Sequence, residues 1–442
     1  SREGGSMVID GLPGGRNPAE EKSGIRGLYE RNRILIWVCV LIGFNQLGFG
    51  SIVPVVPLYA ESFGVSQTAI GLTIAIYGLA RFLLNVPTGV IADRFGRREA
   101  LALGGVVTVL GNVICGLAPS YMIFLSGRFV AGAGAAMVIT GTQVMIADIS
   151  RPENRGRMMS VYMGTFMFAV GLGPLPGGFL AQYVSLAAPF YVYAVLGALV
   201  TALAWFRVPE TRDLRADGAP QVGGKPLPFA TQLRVLTAQI GFLLISIVSF
   251  ATFFARTGGL FTLIPTLAQN KIGLTAGQIG VGLAMISIMG LLLAYPSGVL
   301  VDRIGRKMVI VPSTLISGVA LLAFAMATSF FTFILACSVW AFASGIAAAA
   351  PTAYAADMAP PGMNAQAMGT YRMLADFGYV AGPLSLGFAA DLFSTEAALY
   401  GTAILVVAAG LAFAVLAPES YRRTAAPTAD PAIAVAGRQD KR

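Results

Sequence analysis

From residue 34 onward the chain alternates between long apolar stretches and short polar breaks. Twelve apolar runs stand out, at roughly 34–60, 68–92, 99–118, 121–147, 158–183, 187–207, 236–268, 277–301, 308–328, 330–356, 367–391 and 396–417. Each is continuously apolar rather than alternating at every second position, which predicts helices and not the strands of a barrel. About 20 helical residues, rising 1.5 Å each, cover a bilayer core of about 30 Å. A helix also satisfies its own backbone polar groups where no water is present. The pattern therefore predicts an all-α membrane protein with twelve transmembrane helices. The polar breaks divide it into an N-tail (1–33), a six-helix bundle (34–207), a linker (208–235), a second six-helix bundle (236–417) and a C-tail (418–442).

Composition narrows the function. Only 12% of the 442 residues are charged, against about 25% in soluble domains. There is no histidine, and no carboxylate cluster replaces it, so neither a catalytic triad, a metal site nor a cofactor is expected. The reading is of a protein that is not an enzyme. Cys39, Cys115 and Cys337 all fall inside apolar runs, which argues against a disulfide framework. No apolar stretch precedes the first run, so a cleavable signal is not expected.

The net charge of +9 is explained by its placement. If the helices alternate in direction, the tails, the linker and the 2–3, 4–5 and 8–9 loops share one side. That side carries 25 of the 30 Lys and Arg, and the other side carries Lys271 alone. Basic loops stay in the cytoplasm. Both termini and the linker are thus expected there, in a multi-pass protein of a bacterial inner (plasma) membrane, monomeric, with the bilayer and no nucleic acid as partner.

The sequence also repeats itself. "GVIADRFGRR" (Gly89 to Arg98) and "GVLVDRIGRK" (Gly298 to Lys307) lie 209 residues apart, share six of ten positions and exchange like for like at the rest. The same offset maps Gly64 on Gly273, Ile70-Gly71 on Ile279-Gly280, Ala147-Asp148 on Ala356-Asp357, Tyr162 on Tyr371 and Gly173-Pro174 on Gly382-Pro383. Two six-helix halves follow. Each has an even number of spans, so both start from the same side and form parallel repeats.

The decapeptide and its echo resemble the signature between helices 2 and 3, and 8 and 9, of the major facilitator superfamily. The resemblance covers the whole chain. On the residues alone, Gly89 and Gly298 permit close helix approach. Asp93 and Asp302 can pair with Arg97 and Arg306 four residues on, or sit at a facing helix start, or belong to a plain solvated basic loop. The resemblance implies a cytoplasmic gate that latches the halves, formed by Gly89, Asp93, Arg94, Arg97, Asp148, Gly298, Asp302, Arg303 and Arg306.

Four arginines remain inside apolar runs: Arg81, Arg128, Arg256 and Arg372; Asp376 is the acid placed well within one. Charges there cost on the order of 3 kcal/mol or more and mark functional sites by default. Arg128, in "GRFVAGAGAAM", resembles the superfamily's helix 4 motif and is implied in coupling, with a structural bond to carbonyls of helix 1 as the alternative. "GLGPLPGG" resembles the helix 5 motif of drug/proton antiporters, with Gly173, Pro174, Gly177 and Gly178, and implies export; kinked packing is the alternative. Two features depart from those antiporters: Asn45 and Gln46 occupy the middle of the first run where many carry an acid, and the fourth run has none. Proton coupling therefore falls to Asp376, with Arg128 and Arg372, or to an acid near a span end such as Glu61. Arg81, Arg256, Asn45 and Gln46 are the candidate substrate-binding residues, with pairing to carbonyls or tyrosines as the alternative for the two arginines. Guanidinium forks suit carboxylates and phosphates, so the expected cargo is a small anionic or zwitterionic solute. The leading expectation is a proton-coupled exporter working by alternating access. An uncoupled facilitator or importer of organic anions comes second, and a non-transporting membrane sensor or assembly factor third.

Overall fold

A computed structural model of the chain describes residues 18–150, 155–211, 229–347, 350–360 and 364–419. It is all-helical among these residues, and twelve helices are long and apolar enough to cross a membrane. They are α1 (Pro18–Ile52), α2 (Gln67–Phe95), α3 (Arg97–Gly116), α4 (Tyr121–Ile149), α5 (Arg155–Leu172, resuming as Pro174–Tyr183) and α6 (Ala188–Arg207). In the second half, α7 runs as Ile240–Phe254, a π-helical Ala255–Leu263 and Ile264–Ile272. It is followed by α8 (Ala276–Ile304), α9 (Lys307–Met326), α10 (Phe330–Ile346, with Ala350–Asp357 beyond), α11 (Asn364–Leu392) and α12 (Thr395–Leu416). Short helices Val56–Glu61 and Phe229–Thr237 lie between spans. The outer tails and most of the linker lie outside the described residues.

Local chemistry sets the helix ends. Ser66 accepts from Ala69 N at 3.3 Å to cap α2, and Thr275 with Gln278 forms a reciprocal capping box on α8. Between α2 and α3 the chain turns within one residue, and between α8 and α9 within two. Gly96 and Gly305 hold φ of 119° and 98°, a region that side chains rarely enter. This explains the one glycine that both decapeptides keep near their end.

Each half packs as its own bundle, and the halves meet along two seams: α2 against α11 and α5 against α8. We call the end where α6 finishes and α7 is approached the linker face, and the opposite end the far face. Toward the far face both seams are closed backbone to backbone. A methyl on Gly71 would lie 2.0 Å from the Pro383 carbonyl oxygen, and one on Gly280 2.3 Å from that of Pro174. Toward the linker face the same helices part: a methyl on Gly164, Gly290 or Gly369 would meet nothing within 4 Å. The molecule is thus a two-half bundle with a cleft open on the linker face.

Candidate functional site

The closed ends of the seams form the floor of the cleft, and the intramembrane charges gather around it. On α2, ten residues beyond Gly71, the Arg81 guanidinium sits 5.9 Å from the ring of Tyr379 on α11. Arg81 and Arg372 both act electrostatically on Asp376, so α2 and α11 bring two cations and one acid together across the halves. Arg372 is exposed and Asp376 half-buried. Tyr162 on α5 feels the charges of Arg81 and Arg372, which places α5 on the same space.

Arg128 lies deeper, 2% exposed. Its Nε donates to the Thr73 carbonyl at 3.1 Å, and its guanidinium stacks 4.4 Å over Tyr77. The carbonyl partner thus comes from α2 and not from the first helix as expected, because Arg128 packs on the α2 face that presents Thr73 and, one turn on, Tyr77. Tyr77 in turn stacks on Phe49 at 5.3 Å and hydrogen-bonds Tyr193. Arg128 Nη1 is buried and has no hydrogen-bond partner among the described residues. Arg128 also borders a small, partly open void lined by Phe49, Ile74, Phe261 and Tyr379, among others. Leaving a buried donor unmet is costly, so the space beside it is suited to an acceptor.

Arg256 approaches from the other half. It sits in the π-helical turn of α7, 5.6 Å from the Phe261 ring, and lines a second small, partly open void with Val170, Pro174 and Ser287. Val53 and Phe261 border both voids. Such π segments recur at functional sites because the extra residue re-aims a side chain. Here the widened turn lets Gly258 pack on the Gly382 carbonyl of α11.

Asn45 and Gln46 lie inside the first half, 1% and 3% exposed. Asn45 Nδ2 donates to Gln46 Oε1 at 2.9 Å and Tyr193 O–H donates to Asn45 Oδ1 at 3.3 Å. The helix 5 motif packs: methyls on Gly173 and Gly177 would collide with the α1 backbone at Gly50 and Ser51, and one on Gly178 with Ala276 of α8. Of the four, Pro174 borders the void beside Arg256. Glu61 is at the far face, where its Oε1 accepts from Asn270 Nδ2 at 2.7 Å.

At the linker face the structure assembles a charged cluster in each half. Arg97, 3% exposed, pairs its Nε with Asp148 Oδ2 at 2.9 Å and donates from Nη1 to the Ala92 carbonyl at 2.7 Å. Thr211 Oγ1 also donates to Asp148, at 3.1 Å. Arg306 and Asp357 repeat the pair at 3.1 Å, less buried. Arg94 and Arg303 are exposed, Arg94 lying 5.4 Å from the Phe95 ring. Gly298 is half-exposed on α8. Gly89, Asp93 and Asp302 fall on helix, but their surroundings lie outside the described residues.

Glu210 belongs to this cluster and was not picked out from the sequence. Its carboxylate accepts from Arg97 N and Arg98 N, both at 3.0 Å, capping α3. The 209 offset carries the signal, since Pro209-Glu210 maps on Pro418-Glu419. Tyr77, Tyr193 and Tyr379 were missed as well.

The comparisons with known proteins agree with this architecture. A Major Facilitator Superfamily profile matches residues 38–295 and 245–439. An uncharacterized MFS-type transporter of Methanocaldococcus jannaschii is 26% identical over 390 residues, covering 87% of this chain and 98% of the relative. Multidrug resistance protein 2 of Bacillus subtilis is 25% identical over 394 residues, covering 87% and 96%. Among solved structures, a bacterial homolog of the human lysosomal transporter Spinster, inward-facing and unoccupied, superposes with TM-score 0.74 at 17% identity, covering 88% and 97%. With two repeated six-helix bundles, a cleft between them and a matching profile over both, the chain belongs to the Major Facilitator Superfamily, as a multi-pass membrane transporter of a small solute and not an enzyme.

Proposed function

We propose that this transporter exports a small anionic or zwitterionic organic solute by alternating access, driven by protons. The observation that carries the cargo class is the floor of the cleft. Arg81, Arg128 and Arg256, from both halves, converge on Tyr379 and Phe261 with Asp376 as the nearby acid. A guanidinium in so dry a place is stabilised by an anion that brings complementary oxygens. Export is supported by the likeness to a multidrug resistance protein and by the glycine-proline motif of α5. Asp376 is the proposed proton carrier, since it shares the cleft with the arginines that would hold substrate; Arg372 and Arg81 act on its charge, and Arg128 is the further proposed coupling residue. Asp93, Arg94, Arg97, Asp148, Asp302, Arg303 and Arg306 form the proposed gate on the linker face, which is proposed to be cytoplasmic.

The second reading, an uncoupled facilitator or importer of organic anions, is favoured by α1. Its mid-span Asn45 and Gln46 are neutral and satisfy each other. Proteoliposomes separate the two. Under an imposed pH gradient, wild-type protein should concentrate solute against its own gradient, and Asp376→Asn should abolish this while sparing solute exchange. Gradient-driven transport that survives in Asp376→Asn rules out the proposed carrier. Transport blind to pH in the wild type favours the facilitator.

A further inference from the structure

α2 and α11 run antiparallel along one seam, so the end of each helix lies beside the start of the other. At the far face the start of α2 is capped by a side chain from the opposite half. Gln67 N donates to Asp391 Oδ1 at 2.7 Å, Thr68 N donates to Asp391 Oδ2 at 2.8 Å, and Thr68 Oγ1 donates to the same oxygen. The first amides of a helix have no partner within it. Ser66 serves Ala69 N, and Asp391 takes the two amides before it. A carboxylate there also meets the positive end of the helix dipole.

The repeat makes this contact one-sided. Gln182 stands 209 residues before Asp391, near the end of α5, and its Oε1 lies over Gly277 in the first turn of α8. One junction is therefore anionic and its counterpart neutral. A third far-face contact joins repeat mates directly: Glu61 and Asn270, also 209 apart.

We propose that Asp391 is the far-face latch of the transport cycle: its bonds to Gln67 and Thr68 hold α11 on α2 while the cleft is open on the linker face, and must break for the far face to open. The proposal rests on the alternating-access reading. Those three bonds exist only when the far ends of α2 and α11 touch, and an interaction made in one state alone shifts the balance between states. Asp391 stands at the far end of the same seam whose linker-face end is marked by Asp93. The two acids would thus favour opposite states.

Double electron–electron resonance on the full chain tests this. Cys39, Cys115 and Cys337 are replaced by serine, and spin labels are placed on Leu117→Cys with Met326→Cys at the far face, or Phe206→Cys with Val415→Cys at the linker face. All four positions are well exposed (67%, 69%, 79% and 79%) and away from the latch. The wild type should show two distances at each face, changing reciprocally. Asp391→Asn should shift the ratio about tenfold toward the far-face-open state, equivalent to about 1.4 kcal/mol. Thr68→Val, which removes only the hydroxyl, should shift it the same way but less. Gln182→Glu, which adds an anion at the start of α8, should shift it oppositely. Reciprocal wild-type distances with an Asp391→Asn ratio within twofold of the parent would overturn the latch, even if melting temperature fell. One fixed distance at each face in the wild type would instead overturn alternating access, and the latch with it.

Discussion

Replacing Asp148 by alanine should destabilise the first half far more than Asp357→Ala destabilises the second, although the repeat makes them equivalent. In the first half the side chains of Arg97 and Asp148 are 4% and 6% exposed. Removing the acid takes the carboxylate from a buried guanidinium, whose Nη1 still donates to the Ala92 carbonyl, and leaves Thr211 Oγ1 without its acceptor. Breaking such a pair from one side costs about 3–5 kcal/mol. Arg306 and Asp357 are 21% and 33% exposed, so water screens both charges, and the loss should be about 1 kcal/mol or less. At roughly 2–4 °C per kcal/mol for a unit of this size, Asp148→Ala should lower the melting temperature by about 6–20 °C, and Asp357→Ala by no more than about 4 °C. A thiol-reactive fluorogenic dye on detergent-solubilised protein reads this, because Cys115 and Cys337 are buried one in each half. Asp148→Asn, which keeps an acceptor, should fall between. Equal shifts for the two alanine variants would refute the reasoning that burial, not the presence of the pair, sets its value.

Two further outcomes follow from the charged ends. Reporter fusions in the N-tail, the linker and the C-tail should all report cytoplasm, because 25 cations lie on that side and one on the other; an externally active linker fusion would break the two-half topology. Glu210→Ala should cost about 0.5–2 kcal/mol by uncapping α3, and Glu210→Gln less, as read by the same melting assay; no loss in either would remove Glu210 from the gate cluster.

The fold was legible because its signals are long. A bilayer demands about 20 apolar residues per span, and the duplicated decapeptide fixed the two halves. The boundaries drifted where short-range chemistry intervenes. The first run was expected to reach residue 60, but α1 ends at Ile52, and Pro54 and Pro57 mark the break before the short helix Val56–Glu61. The seventh was expected at 236–268, yet α7 begins at Ile240 and carries the polar Gln269 and Asn270 up to Gly273. Its π-helical turn had no signal in composition. Depth and charge pointed to Arg81, Arg128 and Arg256, but not to their neighbours. In a helix apolar on every side, periodicity does not say which face meets the cleft, so Tyr77, Tyr193 and Tyr379 were hidden. Arg97 shows the same limit, since a loop arginine is expected in solvent and only the tertiary partner Asp148 buries it. Asp391 escaped notice because a carboxylate at a span end looks like ordinary surface until the opposite half supplies the helix start that it caps.

The central claim is that the arginines at the cleft floor hold the transported solute. The most direct test is binding, measured on purified wild type, Arg81→Ala and Arg256→Ala. The probes are small carboxylates, amino acids and phosphate esters, each paired with a neutral analogue, with melting temperature taken on the same samples. Losing one charge-assisted bond of about 1.5–3 kcal/mol should weaken anion binding roughly ten- to a hundredfold. Neutral analogues should change little, and lysine should restore binding only in part because it keeps the charge without the fork. Lower melting temperatures with unchanged anion affinity would contradict the account and leave both arginines as packing residues.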